Sequence, residues 1–227
     1  MALLLNIDTA TEHASVCLSD DGNVLALEKS SDQKNHASFI QPAIKKIFSE
    51  ANIEFNSIDA IAVSAGPGSY TGLRVGLSSA KGLCYALHKP LILINTLEVM
   101  AKAAIDAQTN IENEILFCPM IDARRMEVFT ALYTKDLKSI LSPRALIINE
   151  TTFVEYADRN KIIFSGSGSA KLEKIFTHAN AEFVDVQHNA SHLGMLAATA
   201  FNKKKFTDVA YSEPVYLKEF FTPQQRV

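Results

Sequence analysis

The chain has 227 residues, 48% hydrophobic and 21% charged, a balance that fits one large or two small folded domains with a full apolar core. Its formal net charge of −3 and pI near 6.1 lack the basic surplus of a free-standing nucleic-acid binder, and Lys203 to Lys205 reads as a solvated helix end. No apolar run approaches the ~20 residues of a membrane span, and the start, Met1 to Asp8, reads as a strand and not as a signal peptide.

Leu3 to Asp8 is an apolar strand, Thr9 to Glu12 turns the chain, and Ala14 to Ser19 returns as a second strand. Asp20-Asp-Gly-Asn23 has hairpin-turn chemistry, so Val24 to Glu28 becomes a third strand. A helix follows over His36 to Ala51, with Asn35 as its cap. Phe39, Ile40, Ala43, Ile44, Ile47, Phe48 and Ala51 form its apolar stripe, and Pro42 bends it. The strand Ile58 to Ser64 leads through a glycine-proline turn into a helix from Thr71, its expected N-cap, to Leu87. The strand Leu91 to Ile94 and a helix over Leu97 to Ala107 complete the first half.

The second half repeats that order. Ile115 to Asp122, Met126 to Tyr133 and Ala145 to Ile148 are its three strands. A helix from Thr152 follows, with Glu155 at capping-box spacing, then the strand Lys161 to Ser165 and the loop Gly166-Ser-Gly168-Ser. The helix Ala170 to Thr177, the strand Glu182 to Val186 and a helix Ser191 to Lys203 close it. Two copies of βββαβαβα, joined by a polar hinge at Ala107 to Asn113, place one lobe over 1–107 and another over 108–227. The cysteines Cys17, Cys84 and Cys118 sit in apolar segments without metal-like spacing, as reduced core residues of a cytoplasmic protein do.

The segment around Gly66, Gly68, Ser69, Tyr70, Gly72 and Arg74 is a strand–loop–helix unit. Such a loop either cradles an anion or makes a tight structural turn. Its spacing is not the dinucleotide fingerprint, and Leu73-Arg74 stands where a P-loop has Lys-Ser/Thr. In the helix beyond it, Gly76, Ser79, Ala80 and Gly82 leave one side nearly bare. A helix-interior glycine costs about 1 kcal/mol against alanine. Either the protein's own sheet or a second subunit's helix packs close there, and the second is the favoured expectation. His188 and His192 are four apart, but with Ser191 as the cap they do not share a helical face. No G-x-S-x-G elbow surrounds Ser69. Arg124 and Arg125 follow a strand end, where they bind an anion, clamp the lobes or make surface ion pairs.

The duplicated layout resembles the actin, sugar-kinase and heat-shock-ATPase superfamily, two ribonuclease-H-like lobes around a cleft. There each first hairpin supplies a phosphate loop with an aspartate; Asp8, followed by Thr9, and Asp122 stand at the matching strand ends, although the first loop lacks the usual glycine. Four segments, Ile7 to Thr11, His36 to Ile40, Gly66 to Gly76 and Ile121 to Val128, together with Glu213-Pro-Val-Tyr-Leu, resemble the bacterial TsaB (YeaZ) family over essentially the whole chain. That resemblance implies a non-catalytic partner of the TsaD-like subunit that makes threonylcarbamoyladenosine beside the tRNA anticodon. TsaD-like enzymes hold a metal with two histidines four apart. The matching positions here are Thr96 and Met100, and neither replaces imidazole.

The expectation is therefore a scaffold without cofactor or metal, in which His36, Phe39, Ile40, Ala43, Ile47, Leu73, Gly76, Ser79, Ala80 and Leu83 form the partner face. The implied partners are a TsaD-like subunit and a TsaE-like ATPase, with a homodimer when alone and tRNA reached only through the complex. Replacing Gly76 or Gly82 by Leu is expected to abolish pairing without unfolding the monomer. One rival is a phosphotransferase holding ATP between Asp8, the Gly66 loop and the Gly166 loop, with Thr9, Gly68, Ser69, Tyr70, Arg74, Asp122 and Arg124 in reach. The other is a peptidase using Ser69 and His36.

Overall fold

The computed structural model describes residues 2–30, 32, 35–109 and 114–218, so part of the expected hinge, 110–113, lies outside the described residues. The first half runs β1 (Leu3–Asp8), β2 (Ala14–Asp20), β3 (Asn23–Ser30), α1 (His36–Ala51), β4 (Ala60–Ser64), α2 (Tyr70–Leu87), β5 (Leu91–Ile94) and α3 (Thr96–Asp106). The second runs β6 (Ile115–Asp122), β7 (Glu127–Thr134), β8 (Ser139–Ile147), α4 (Val154–Ala157), β9 (Lys161–Ser165), α5 (Ser169–Glu173), β10 (Ala181–Val184) and α6 (Ala190–Asn202). Each half builds one five-stranded sheet, ordered β3-β2-β1-β4-β5 and β8-β7-β6-β9-β10. The topologies are the same: the first three strands of each pair antiparallel, and the last two join in parallel beside the first. This is a duplicated, two-lobed α/β fold with ribonuclease-H-like strand order in each lobe. Tight turns close the hairpins; between β2 and β3, Asp21 (φ 47°) and Gly22 (φ 85°) supply two positive φ angles in succession. The parallel strands need crossovers, which the helices provide.

Strand alternation gives each sheet two apolar faces. On the outer face of the first sheet, Ile40, Ile44 and Ile47 of α1 and Leu77 and Ala80 of α2 pack on Leu5, Ile7, Val16, Ile61 and Val63. On the outer face of the second, Phe153, beside α4, and Leu172 of α5 cover Cys118, Met120, Val128 and Phe164. The inner faces are covered by exchange. Leu97, Met100, Ala101 and Ala104 of α3 pack on Phe117, Ile121, Ala131 and Ile163 of the second sheet. Leu193 and Ala197 of α6 pack on Leu4, Ala60, Ala62 and Ile92 of the first, and Val99 of α3 joins that core. Each half thus lends its last helix to the other's sheet. Burying a leucine such as Leu193 contributes about 1.5–3 kcal/mol, so the exchange ties the lobes together strongly.

Several local expectations change. The N-cap of α2 is Ser69, whose hydroxyl accepts from Gly72 N–H at 3.2 Å, in place of Thr71. That of α6 is Asn189, not Ser191. Its carboxamide oxygen accepts from Ser191 N–H, and its own N–H donates to His192 Nδ1 at 3.1 Å. Thr152 does not cap a helix, because its hydroxyl is engaged with Asn149 in the preceding turn. The helix there shrinks to Val154–Ala157. Asn35 precedes α1 but makes no side-chain cap. No helix among the described residues is long and apolar enough to cross a membrane.

Candidate functional site

The glycine loop after β4 is filled by the protein's own chain. A Cβ on Gly68 would lie 2.2 Å from the Ala10 carbonyl oxygen, and one on Gly72 2.1 Å from that of Thr9. One on Gly66, at φ 116°, would lie 2.5 Å from the Val215 oxygen. Two of the loop's donors are also committed. Ser69 N–H donates to Ala10 O at 2.7 Å, and Gly66 N–H to Thr96 Oγ1 at 3.1 Å. In the second loop Gly166 (φ 89°) makes room for Met100 Cε and Met120 O, and Gly168 N–H donates to Met120 O at 3.0 Å, while Gly166, Ser167, Ser169 and Ala170 border the interlobe cleft. The bonded N–H groups named in the two loops support turns.

The two strand-end aspartates differ. Asp8 is 1% exposed; its Oδ1 accepts from Ala10 N–H at 3.1 Å and its Oδ2 faces His188 Nε2 at 3.4 Å. Burial pushes the His188 imidazole below its ordinary pKa; Asp8 opposes that and His13 adds to it. Asp122 has a side chain 43% exposed, and its Oδ1 accepts from Lys171 Nζ and from Arg124 N–H, both at 2.6 Å. Partial burial raises its pKa, but these two bonds outweigh that and hold the carboxyl below the usual range. Arg124 (φ 69°) and Arg125 (φ 49°) both sit in the left-handed region of this turn, with exposed side chains. Such strain costs about 1–3 kcal/mol per residue.

Between the lobes lies a cleft of about 520 Å³. The first half contributes Glu12, His13 and Met100 to its walls, and the second Ser167, Glu173, Phe183, Asp185 and His188. Among the described residues, neither Lys nor Arg lines it. The expected histidine and hydroxyl roles resolve into structural ones. His36 is buried and its Nε2 donates to the Glu12 carbonyl at 3.2 Å, pinning the β1–β2 turn. Thr96 latches the Gly66 loop, and Met100 packs against Gly166. Among the described residues no group of three or more His, Cys, Asp or Glu side chains is placed to hold a metal ion. Burial pushes the thiols of Cys17, Cys84 and Cys118 up to about 12, so none is a nucleophile at neutral pH.

The partner face read from the sequence needs correction. Ile40, Ala43, Ile47, Leu73, Gly76 and Ala80 are buried in the first lobe's own core, and Phe39, Ser79 and Leu83 are half-buried at its edge. An amphipathic stripe is claimed first by the nearest sheet, which the sequence does not identify. Gly76 is small because Thr9 Oγ1 would lie 2.3 Å from its Cβ, so Gly76→Leu would disrupt the monomer itself. Gly82 differs, since a Cβ there meets nothing within 4 Å. The solvent side of α2 carries Thr71, Arg74, Ser78, Gly82, Tyr85 and Ala86, with Tyr85 80% exposed; that of α1 carries Ala37, Ser38, Gln41, Pro42 and Lys45.

Sequence reasoning missed a strap, 207–216, along α2. Thr207 bridges to Leu91, Lys81 Nζ donates to the carbonyls of Ala210 (3.0 Å) and Ser212 (3.1 Å), and Val215 N–H donates to Ala65 O at 2.7 Å. Arg74 Nε donates to Tyr216 Oη at 3.1 Å, and its guanidinium lies 3.9 Å from the Tyr70 ring centre. The Tyr216 hydroxyl is the main cause that raises the Arg74 pKa further.

Comparison with known proteins places this architecture. Residues 24–224 match the family model described as TsaD, tRNA N6-adenosine threonylcarbamoyltransferase. A curated relative from Haemophilus influenzae, tRNA threonylcarbamoyladenosine biosynthesis protein TsaB, is 31% identical over 229 aligned residues, covering 96% of this chain and 94% of its own. The protein of the same name from Escherichia coli is 37% identical over 137 residues, covering 60% of this chain and 57% of its own. The solved structure of YeaZ from Pseudomonas aeruginosa superposes with a TM-score of 0.84 at 27% identity, covering 96% of this chain and all of that one. A two-lobed body that aligns nearly end to end with the Haemophilus influenzae protein and with the YeaZ structure belongs to the TsaB (YeaZ) family of tRNA threonylcarbamoyladenosine biosynthesis proteins.

Proposed function

We propose that this chain is a non-catalytic subunit of the machinery that makes threonylcarbamoyladenosine in tRNA, and that it works by docking on a TsaD-like catalytic subunit. The observation that carries this reading is the filling of the first glycine loop by the chain's own backbone, above all Gly68 against the Ala10 carbonyl. A cleft lined by Glu12, Glu173 and Asp185 and, among the described residues, by no Lys or Arg is poorly suited to a nucleotide triphosphate. Thr96 and Met100, at the positions of the enzyme's histidines, are committed to packing.

In this reading the docking surface is the solvent side of α1 and α2, with Gly82 at a point where a partner helix comes close and Tyr85 as an exposed aromatic anchor. A homodimer through the same side forms when the partner is missing, a TsaE-like ATPase joins the assembly, and tRNA is reached through the complex in the cytoplasm. Gly82→Leu adds bulk in open space and, by replacing a helix-interior glycine, leaves the monomer at least as stable, by up to about 1 kcal/mol. Calorimetric titration of the full chain against a TsaD-like subunit is expected to show affinity reduced at least about tenfold by this substitution. Unchanged affinity, or transfer of the threonylcarbamoyl group by the chain alone, would overturn the reading.

A further inference from the structure

We propose that the groove between α2 and the strap receives a carboxylate side chain of the partner subunit, held by the Arg74 guanidinium. The inference rests on the docking reading above and names the chemistry of one contact within it. The groove has a volume of about 340 Å³, between Arg74, Ser78 and Lys81 of α2 and Ser212, Glu213 and Tyr216 of the strap. It opens on the proposed docking side of the helix. Arg74, Ser78 and Gly82 follow one another at four-residue spacing and Tyr85 comes three further on, so all four share one exposed face.

The two cations of the groove are held differently. Lys81 is engaged by the strap, its ammonium donating to the carbonyls of Ala210 and Ser212. Arg74 is held by tyrosines. Its Nε donates to Tyr216 Oη at 3.1 Å, its guanidinium carbon lies 3.9 Å from the Tyr70 ring centre, and the two rings are 5.5 Å apart. One edge and one face of the planar group are thereby fixed. Neither tyrosine supplies a full negative charge, and among the described residues no carboxylate, Glu213 included, pairs with Arg74. An arginine ordered in advance loses less freedom on binding, and the rest of its donor fork matches the two oxygens of a carboxylate. Arginine and tyrosine are also the side chains that most often dominate interface energetics. Tyr70 and Tyr216, 38% and 39% exposed, keep surface for the partner to cover. An RNA strand fits less well. Its phosphates need a track of cations, whereas here Lys81 is engaged, Glu213 opposes, and the chain carries a net charge of −3.

Calorimetric titration of the full chain against a TsaD-like subunit tests this with Arg74→Gln, Arg74→Lys, Tyr216→Phe and, as a comparison, Gly82→Leu. Arg74→Gln is expected to weaken binding at least about tenfold and to flatten the loss of affinity between about 50 and 300 mM salt. Arg74→Lys keeps the charge without the fork and should stay at least about threefold weak; Tyr216→Phe, which removes only the hydroxyl that holds Nε, should cost about threefold. A merely structural role for Arg74 would leave the salt dependence of binding unchanged, and that result overturns the proposal. Weaker binding by Gly82→Leu beside unchanged binding by Arg74→Gln would remove the carboxylate contact and spare the docking reading. No binding by the unaltered chain would overturn both. Binding of tRNA by the chain alone, lost in Arg74→Gln, would assign the arginine to a phosphate and overturn the proposal as well.

Discussion

The two lobes share a strand order but use their matching parts in opposite ways. In the first, the aspartate after β1 is buried against an imidazole, and the glycine loop closes on backbone carbonyls. In the second, the aspartate after β6 lies in an exposed turn, paired with a lysine. Its loop glycine Gly168 abuts the side chains of Val128 and Met120, together with the Ile121 carbonyl carbon. Outer helices follow the same division, with 16 and 18 residues in α1 and α2 against 4 and 5 in α4 and α5. Duplication supplied one frame; the first copy carries the locked turns and the long helices, and the second is trimmed.

The comparison can be pressed hardest through the exchanged helices. Leu193→Ala in α6 and Leu97→Ala in α3 each empty a fully buried site and should cost about 2–5 kcal/mol by urea unfolding. Because each helix serves the other half's sheet, either change should lower hydrogen-exchange protection in both sheets. Loss confined to one sheet would mean that the lobes are independent. A smaller contrast separates the loops. Gly68→Ala drives a Cβ to 2.2 Å from a backbone oxygen and should cost about 1–3 kcal/mol, whereas Gly168→Ala, whose Cβ comes no nearer than 2.9 Å to the Val128 side chain, 3.0 Å to Met120 Cβ and 3.1 Å to the Ile121 carbonyl carbon, should cost less. Equal penalties would erase the distinction between a locked and a trimmed copy.

Titration gives the subtlest test. The folded pKa of His188 is lowered, so the unfolded chain takes up the proton first. Stability from its burial is present above the unfolded value of about 6.5 and is lost as pH falls toward the folded value; His188→Gln should flatten that slope. Asp122, also lowered, contributes stability above the unfolded carboxylate value that is lost as pH falls through the folded one. Its exposure limits the cost of Asp122→Asn to under about 1 kcal/mol, present at neutral pH and vanishing on the acid limb of the stability profile.

Much of the frame was legible in the residues. Alternation marked the strands, Asp21-Gly22 marked a hairpin, and the recurrence of Ile-Asp at Ile7-Asp8 and Ile121-Asp122 exposed the duplication. Periodicity shows that a helix has an apolar face and not which surface receives it. The crossing of α3 and α6 and the inward use of Ile40 and Ala80 were for that reason unreadable. Gly76 was misattributed on the same ground, because its neighbour Thr9 is distant in the chain. The strap over α2 has neither alternation nor helical period; its hold depends on Lys81 reaching two carbonyls, which leave no mark on a sequence.

The reciprocal loan of helices has a consequence for how the chain is made. Synthesis runs from the amino end, and the first sheet emerges with its inner surface bare until residues 190–202 have cleared the ribosome. Until then α3 has only the later sheet to rest on, so the first lobe of this chain stays unfinished until the last helix of the second has been made. A ribosome stalled at the junction of the two halves would hold a sticky half-molecule in place of a finished domain.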